Sequence, residues 1–81
     1  MKKIISLVVP CFNEQETIPL FYETVEQIKP QLRGYEVEYY FINDGSSDNT
    51  LNILRKLHEN NRKDVHYVSF SRNFGKEAAL Y

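Results

Sequence analysis

The 81-residue chain has one cysteine, three glycines and three prolines. A single thiol, Cys11, excludes an internal disulfide framework. No long apolar run is present. The longest stretch, Ile4 to Val9, is six residues with Ser6 inside it. That is well short of the ~18 residues that span a bilayer. It is also shorter than the roughly 7–15-residue core of a secretory leader. Pro10 and the polar Asn13-Glu14-Gln15-Glu16 close it without a small-residue cleavage site, and Pro10 before Cys11 suits a lipoprotein cleavage site poorly. The chain as given is therefore expected to be soluble and cytoplasmic. An excess of one charge is also missing. Ten Lys+Arg against eleven Asp+Glu leave a net charge of −1, so no basic field points to nucleic acid. With 42% hydrophobic and 26% charged residues, the composition is that of a folded domain rather than a disordered tail. A chain this short buries only about 60–65% of its unfolded surface, so its core is marginal.

Ile4–Val9 is β-branched and apolar without alternation, a pattern expected for a strand covered on both faces. Ile18, Phe21, Tyr22, Val25, Ile28 and Leu32 then recur at helical spacing, with Pro19 in the first turn and Pro30 at the end. Glu36–Asn43 predicts a second strand. Asp44-Gly45-Ser46-Ser47-Asp48 is a turn whose Ser47 or Asp48 can cap the next helix. Leu51, Leu54 and Leu57 mark that helix, which ends near Asn60-Asn61. Val65–Phe70 predicts a third strand, and Lys76–Tyr81 has the composition of a helix just begun. The order β-α-β-α-β-(α) implies a parallel sheet with right-handed crossovers. Residues 1–50 hold four basic and eight acidic groups, and residues 51–81 hold six and three. Arg55, Lys56, Arg62 and Lys63 read as a solvated face.

Ligands of open parallel sheets bind beyond the carboxyl ends of the strands. Three loops leave the strands there: Pro10 to Glu14, Asp44 to Asp48, and Ser71 to Lys76. The first has no glycine, which counts against a dinucleotide fingerprint, and there is no Walker A sequence. A nucleotide would have to be held by side chains. Phe12 offers a stacking face, worth roughly 1–3 kcal/mol per base. Glu14 and Asp44 offer acceptors for a uracil imide or ribose hydroxyls. Arg72 and Lys76 can offset a diphosphate. Each residue also has a plainer reading. Phe12 suits packing, Glu14 a helix dipole, Asp48 a cap, Asn13 a brace for its own turn, and Arg72 and Lys76 a surface. Cys11 reads as a small buried hydrophobe, and His58 and His66 as structural.

The three loops together resemble a family. Val8-Val9-Pro10-Cys11-Phe12-Asn13-Glu14, Asn43-Asp44-Gly45-Ser46-Ser47-Asp48-Asn49-Thr50 and Ser71-Arg72-Asn73-Phe74-Gly75-Lys76-Glu77-Ala78-Ala79-Leu80 look like the start of a family 2 glycosyltransferase of GT-A fold. The resemblance is strongest to the polyprenyl-phosphate subgroup, which includes dolichol-phosphate mannosyltransferases and bactoprenol glucosyltransferases. It covers essentially the whole chain, residues 1–81, as the N-terminal nucleotide-binding part of such a domain. It implies that Pro10, Phe12 and Glu14 line a base and ribose pocket, that Asp44 binds base or ribose, and that Arg72 and Lys76 lie near the diphosphate. The position before Asp44 is often Asp in the family and is Asn43 here.

The resemblance further implies a nucleotide-sugar donor linked to UDP or GDP, a lipid-phosphate acceptor, and inversion at the anomeric carbon. The family also uses Mg²⁺ or Mn²⁺ held by an Asp-x-Asp motif. No two aspartates here have that spacing, so the motif is expected downstream of Tyr81. The chain alone is then an inactive fragment of a hexosyltransferase. Its parent could be attached to the cytoplasmic face of a membrane. Strand 4–9 would be left as an exposed edge through which the fragment self-associates. The alternative is a stand-alone doubly wound α/β binding or interaction module without catalysis. A receiver-like form of it is disfavoured, because the third strand ends Phe70-Ser71-Arg72 with no phospho-acceptor Asp.

Overall fold

The computed structural model describes residues 2–45, 47–70 and 78–80. Strand β1 (Lys3–Cys11) leads to helix α1 (Thr17–Ile28), which runs into a single 3-10 turn at Lys29–Gln31. Strand β2 (Tyr35–Asp44), helix α2 (Thr50–Asn60) and strand β3 (Val65–Phe70) follow. β1 pairs with β2 and β2 with β3, both parallel, and Cys11 sits opposite Asn43 and Asp44 opposite Phe70. This is the β-α-β-α-β half-domain expected from the sequence. The helix expected over Lys76–Tyr81 is not what the described part forms. Ala78–Leu80 is a short strand, β4, antiparallel to β3. A helix of so few residues fixes many dihedrals for one or two hydrogen bonds. The edge of β3 offers a ready ladder instead.

Both helices lie on one face of the sheet. Ile18 of α1 and Leu54 of α2 pack with Val37, Tyr39, Phe41, Val65, Tyr67 and Cys11 in one buried cluster. Tyr39 and Phe41 are fully buried, with their rings stacked 5.7 Å apart, and Phe21 meets each edge-on. Tyr39 also carries its hydroxyl through the core to the end of α1. It donates to Glu26 Oε2 at 2.9 Å, and Lys29 donates to the same oxygen at 2.8 Å. Burial and the Glu26 carboxylate together push the Tyr39 phenol above its ordinary range. It therefore serves as a fixed donor that satisfies its own buried oxygen.

The other face of the sheet has no helix over it among the described residues. Ile4 is 57% and Val8 67% exposed, whereas Ile5, Leu7 and Val9 pack against the core. The expectation that β1 is covered on both faces is therefore corrected. An unbroken apolar run does not distinguish a doubly covered strand from one whose second face is covered elsewhere. The remaining expectations about the helices hold. Arg55, Lys56, Arg62 and Lys63 are all exposed. His58 Nδ1 lies 2.7 Å from the Val65 carbonyl, and His66 stacks on Tyr40.

Candidate nucleotide site at the carboxyl edge of the sheet

Three parallel strands in register bring their carboxyl ends to one edge. A cavity of about 530 Å³ opens there, lined by Pro10, Cys11, Phe12, Glu14, Ile42, Asp44 and Phe70. Pro10, Phe12, Glu14 and Asp44, singled out from the sequence, thus line one space. Arg72 and Lys76 lie outside the described residues. Ile42 and Phe70 were not anticipated. Strand parity would have found Ile42, because it sits opposite Pro10 and two residues before Asp44, on the same face. Phe70 sits opposite Asp44. The same parity turns Asn43 away. Its amide is buried on the helix face and donates to Ser69 Oγ at 3.3 Å. It contributes to the core rather than to the cavity.

The lining has two kinds of surface. Phe12 and Phe70 are both partly exposed aromatics, at 47% and 40%. Glu14 and Asp44 bring carboxylates, which only accept hydrogen bonds when ionised. Such a space suits a flat, N–H-bearing or hydroxyl-bearing ligand. It does not by itself suit a metal. Among the described residues no three His, Cys, Asp or Glu side chains converge as ligands. Cys11 supplies no nucleophile. Burial first, and then the Glu14 charge, push its thiol up to about 11, and its Sγ donates to the Val9 carbonyl at 3.4 Å. It is a small buried hydrophobe, as its lack of an activating neighbour in sequence suggested.

The geometry of the cavity is held by a clamp between the first two loops. Asn13 adopts a left-handed backbone, φ 52°, a conformation that asparagine tolerates better than most residues. Its Oδ1 accepts the Ser47 N–H at 2.8 Å and the Asp48 N–H at 3.3 Å. Gln15 Oε1 accepts the Asn49 N–H at 2.9 Å. In the reverse direction, Asp48 Oδ2 accepts the Gln15 N–H at 3.3 Å, and Thr50 Oγ1 accepts the Glu14 N–H at 2.9 Å. Asn13 therefore braces the neighbouring loop. Asp48 does accept the Thr50 N–H at the start of α2, at 2.9 Å, as a capping residue would. It spends its second oxygen on the first loop. Gly45, at φ 65°, lets the chain leave β2 sharply enough for these loops to meet.

Burial alone would raise the Asp48 carboxyl. The hydrogen bonds from the Thr50 hydroxyl and amide and from the Gln15 amide outweigh it and hold the group below its ordinary range. A folded pKa below the unfolded one means stabilisation that is present above the usual aspartate value of about 3.9 and is lost as pH falls through the folded value. Urea denaturation between about pH 5 and pH 2.5 should show this loss, and Asp48→Asn should flatten that acid limb. An acid limb equally steep in the variant would show that the clamp carboxylate does not drive it.

Similarity to known proteins converges on one class. The family model for Glycosyl transferase family 2 matches residues 6–81. A prophage bactoprenol glucosyl transferase homolog of Escherichia coli is 54% identical over 95% of this chain, which covers 24% of that protein. The bactoprenol glucosyl transferase of Shigella phage SfX is also 54% identical over 95% of the chain, covering 25% of its own length. An undecaprenyl-phosphate 4-deoxy-4-formamido-L-arabinose transferase of Pseudomonas fluorescens is 33% identical over 96%, and 23% of it is covered. The chain spans about a quarter of the length of these curated relatives.

Proposed function

Because the chain belongs to glycosyl transferase family 2, we propose that it is the nucleotide-holding part of an enzyme that moves a hexose from a nucleotide-diphosphate sugar to a polyprenyl phosphate. The observation that carries this is the convergence of Phe12, Glu14 and Asp44 on one cavity at the carboxyl edge of the parallel sheet. The base stacks on Phe12. The two carboxylates accept from the N–H groups of the base and the ribose hydroxyls, and the base is read as uracil rather than guanine. Arg72 and Lys76 meet the diphosphate. The relatives named for bactoprenol and undecaprenyl-phosphate support a lipid-phosphate acceptor. Family membership supports transfer with inversion. A divalent cation on the diphosphate would need an Asp-x-Asp motif that this chain does not contain, so no step is assigned to the metal here. The chain by itself binds and does not turn over. It lies on the cytoplasmic side, where nucleotide sugars are made, with the rest of the enzyme at the membrane.

Titration of the isotopically labelled chain with UDP, followed by NMR, is expected to shift the amides around Phe12 and Asp44 at millimolar ligand. GDP is expected to bind more weakly. Phe12→Ala should weaken binding by at least about fivefold, the low end of a lost base stack. Asp44→Ala should weaken it by at least about tenfold, from a lost hydrogen bond to a charged acceptor. Absence of shifts at both residues would remove the site assignment. Measurable sugar transfer by the chain alone, with divalent metal present, would remove the claim that it is incomplete.

A further inference from the structure

Phe12 and Phe70 are large rings outside the core. Phe12 follows β1 and Phe70 ends β3, and neither belongs to the buried cluster between sheet and helices. Along β3 the buried positions are Val65 and Tyr67, so alternation turns Phe70 to the opposite face of the sheet. Phe70 pairs with Asp44, and Pro10 pairs with Ile42. Residues level with one another on neighbouring strands share a face. Pro10, Ile42, Asp44 and Phe70 therefore stand together, and all four line the cavity with Phe12.

Strand spacing sets the gap between the two rings. β2 lies between β1 and β3. Neighbouring strands are about 4.8 Å apart, so the ends of β1 and β3 are separated by about 9.6 Å. A flat ring stacked on both faces needs about 7–8 Å between its two neighbours, twice the optimal carbon–carbon separation. Two stacked rings would need about 10.5–12 Å. The gap therefore takes one planar ring. The middle strand brings the Asp44 carboxylate between the walls, where it accepts an N–H from the edge of such a ring.

We propose that Phe70 is the second wall of the base subsite: the base lies between the rings of Phe12 and Phe70, with its N–H edge toward Asp44. Phe70 is thereby a specificity-determining residue, because a site walled on both sides selects a flat ring over a sugar or an aliphatic chain of similar volume. This rests on the nucleotide reading of the cavity, and it adds to that reading a residue outside the three loop motifs.

Titration with UDP, followed by NMR, tests the second wall. In the unaltered chain, intermolecular NOEs are expected from the uracil ring protons to the ring protons of both Phe12 and Phe70. Phe70→Ala should weaken UDP binding by at least about fivefold, the low end of a lost base stack. Phe70→Tyr keeps a planar face and should bind as the unaltered chain does. Phe70→Leu keeps apolar bulk without a planar face and should bind as weakly as Phe70→Ala. Recovery by leucine, NOEs to Phe12 alone, or equal UDP affinity for the unaltered chain and Phe70→Ala would each overturn the second wall and leave the site at Phe12 and Asp44 standing. Absence of amide shifts at Phe12 and Asp44 in the unaltered chain would overturn both. The NOE measurement needs no variant, so it decides even where a substitution at the strand end unfolds the chain.

Discussion

Phe41→Ala is expected to cost about 3–5 kcal/mol, the range for truncating a fully buried phenylalanine. Phe41 is the centre of the core. It lies in the middle strand, is completely buried, stacks on Tyr39, and takes the edge of Phe21 from α1. Its removal opens a cavity among rings that cannot collapse, because Tyr39 is tethered to Glu26 and Phe21 is fixed to a helix. The whole chain has about 4–12 kcal/mol to lose, on a per-residue scale for natural domains. One sheet face without a helix over it among the described residues puts it toward the lower end. Chemical denaturation should therefore find no folded baseline for the variant at 37 °C, or a melting point lower by at least about 12 °C. Leu20→Ala, at a position 65% exposed on α1, should change stability by less than about 0.5 kcal/mol. Equal effects at the two positions would mean that the core is not where the rings are.

The core was largely legible because two periodicities fixed it. Val37, Tyr39, Phe41 and Asn43 alternate with Glu36, Glu38, Tyr40 and Ile42 along β2, and the buried set is the first one. Leu54 and Ile18 were placed by helical spacing. The strand ends followed, and with them the convergence of Pro10, Phe12, Glu14 and Asp44. Three features were not legible. The open face of β1 depends on what lies over it, and an apolar side chain reads the same with or without a cover. The short strand at Ala78–Leu80 uses alanines, whose local preference is helical; it answers to the free edge of β3, a tertiary circumstance. The clamp between loops was hidden because Asn13, Gln15, Asp48 and Thr50 are ordinary turn and cap residues locally. Their partners lie more than thirty positions away in sequence.

The second large effect concerns that clamp. Thr50→Val keeps the shape of a completely buried side chain and removes only its hydroxyl. That oxygen accepts from the Glu14 amide and donates to the Asp48 carboxylate. Valine strands the Glu14 N–H, at about 1–3 kcal/mol for an unmatched buried donor, and takes one donor from Asp48 as well. Thr50→Ser keeps both bonds and loses a methyl group, at about 0.8 kcal/mol. Denaturation should therefore rank the proteins unaltered, Ser, then Val. Nucleotide binding should fall further in Thr50→Val than its stability loss alone explains, because Glu14 sits directly on the released amide. The pH dependence separates the hydroxyl's electrostatic role from its packing role. Thr50 is one of the donors that hold the Asp48 carboxyl low, so the variant's folded pKa lies closer to the unfolded one. The gap between unaltered protein and Thr50→Val is then widest above the ordinary aspartate range, and it narrows as pH falls through the folded Asp48 value. A gap that stays constant with pH would leave packing as the whole of the threonine's contribution, and the clamp would be geometry without charge.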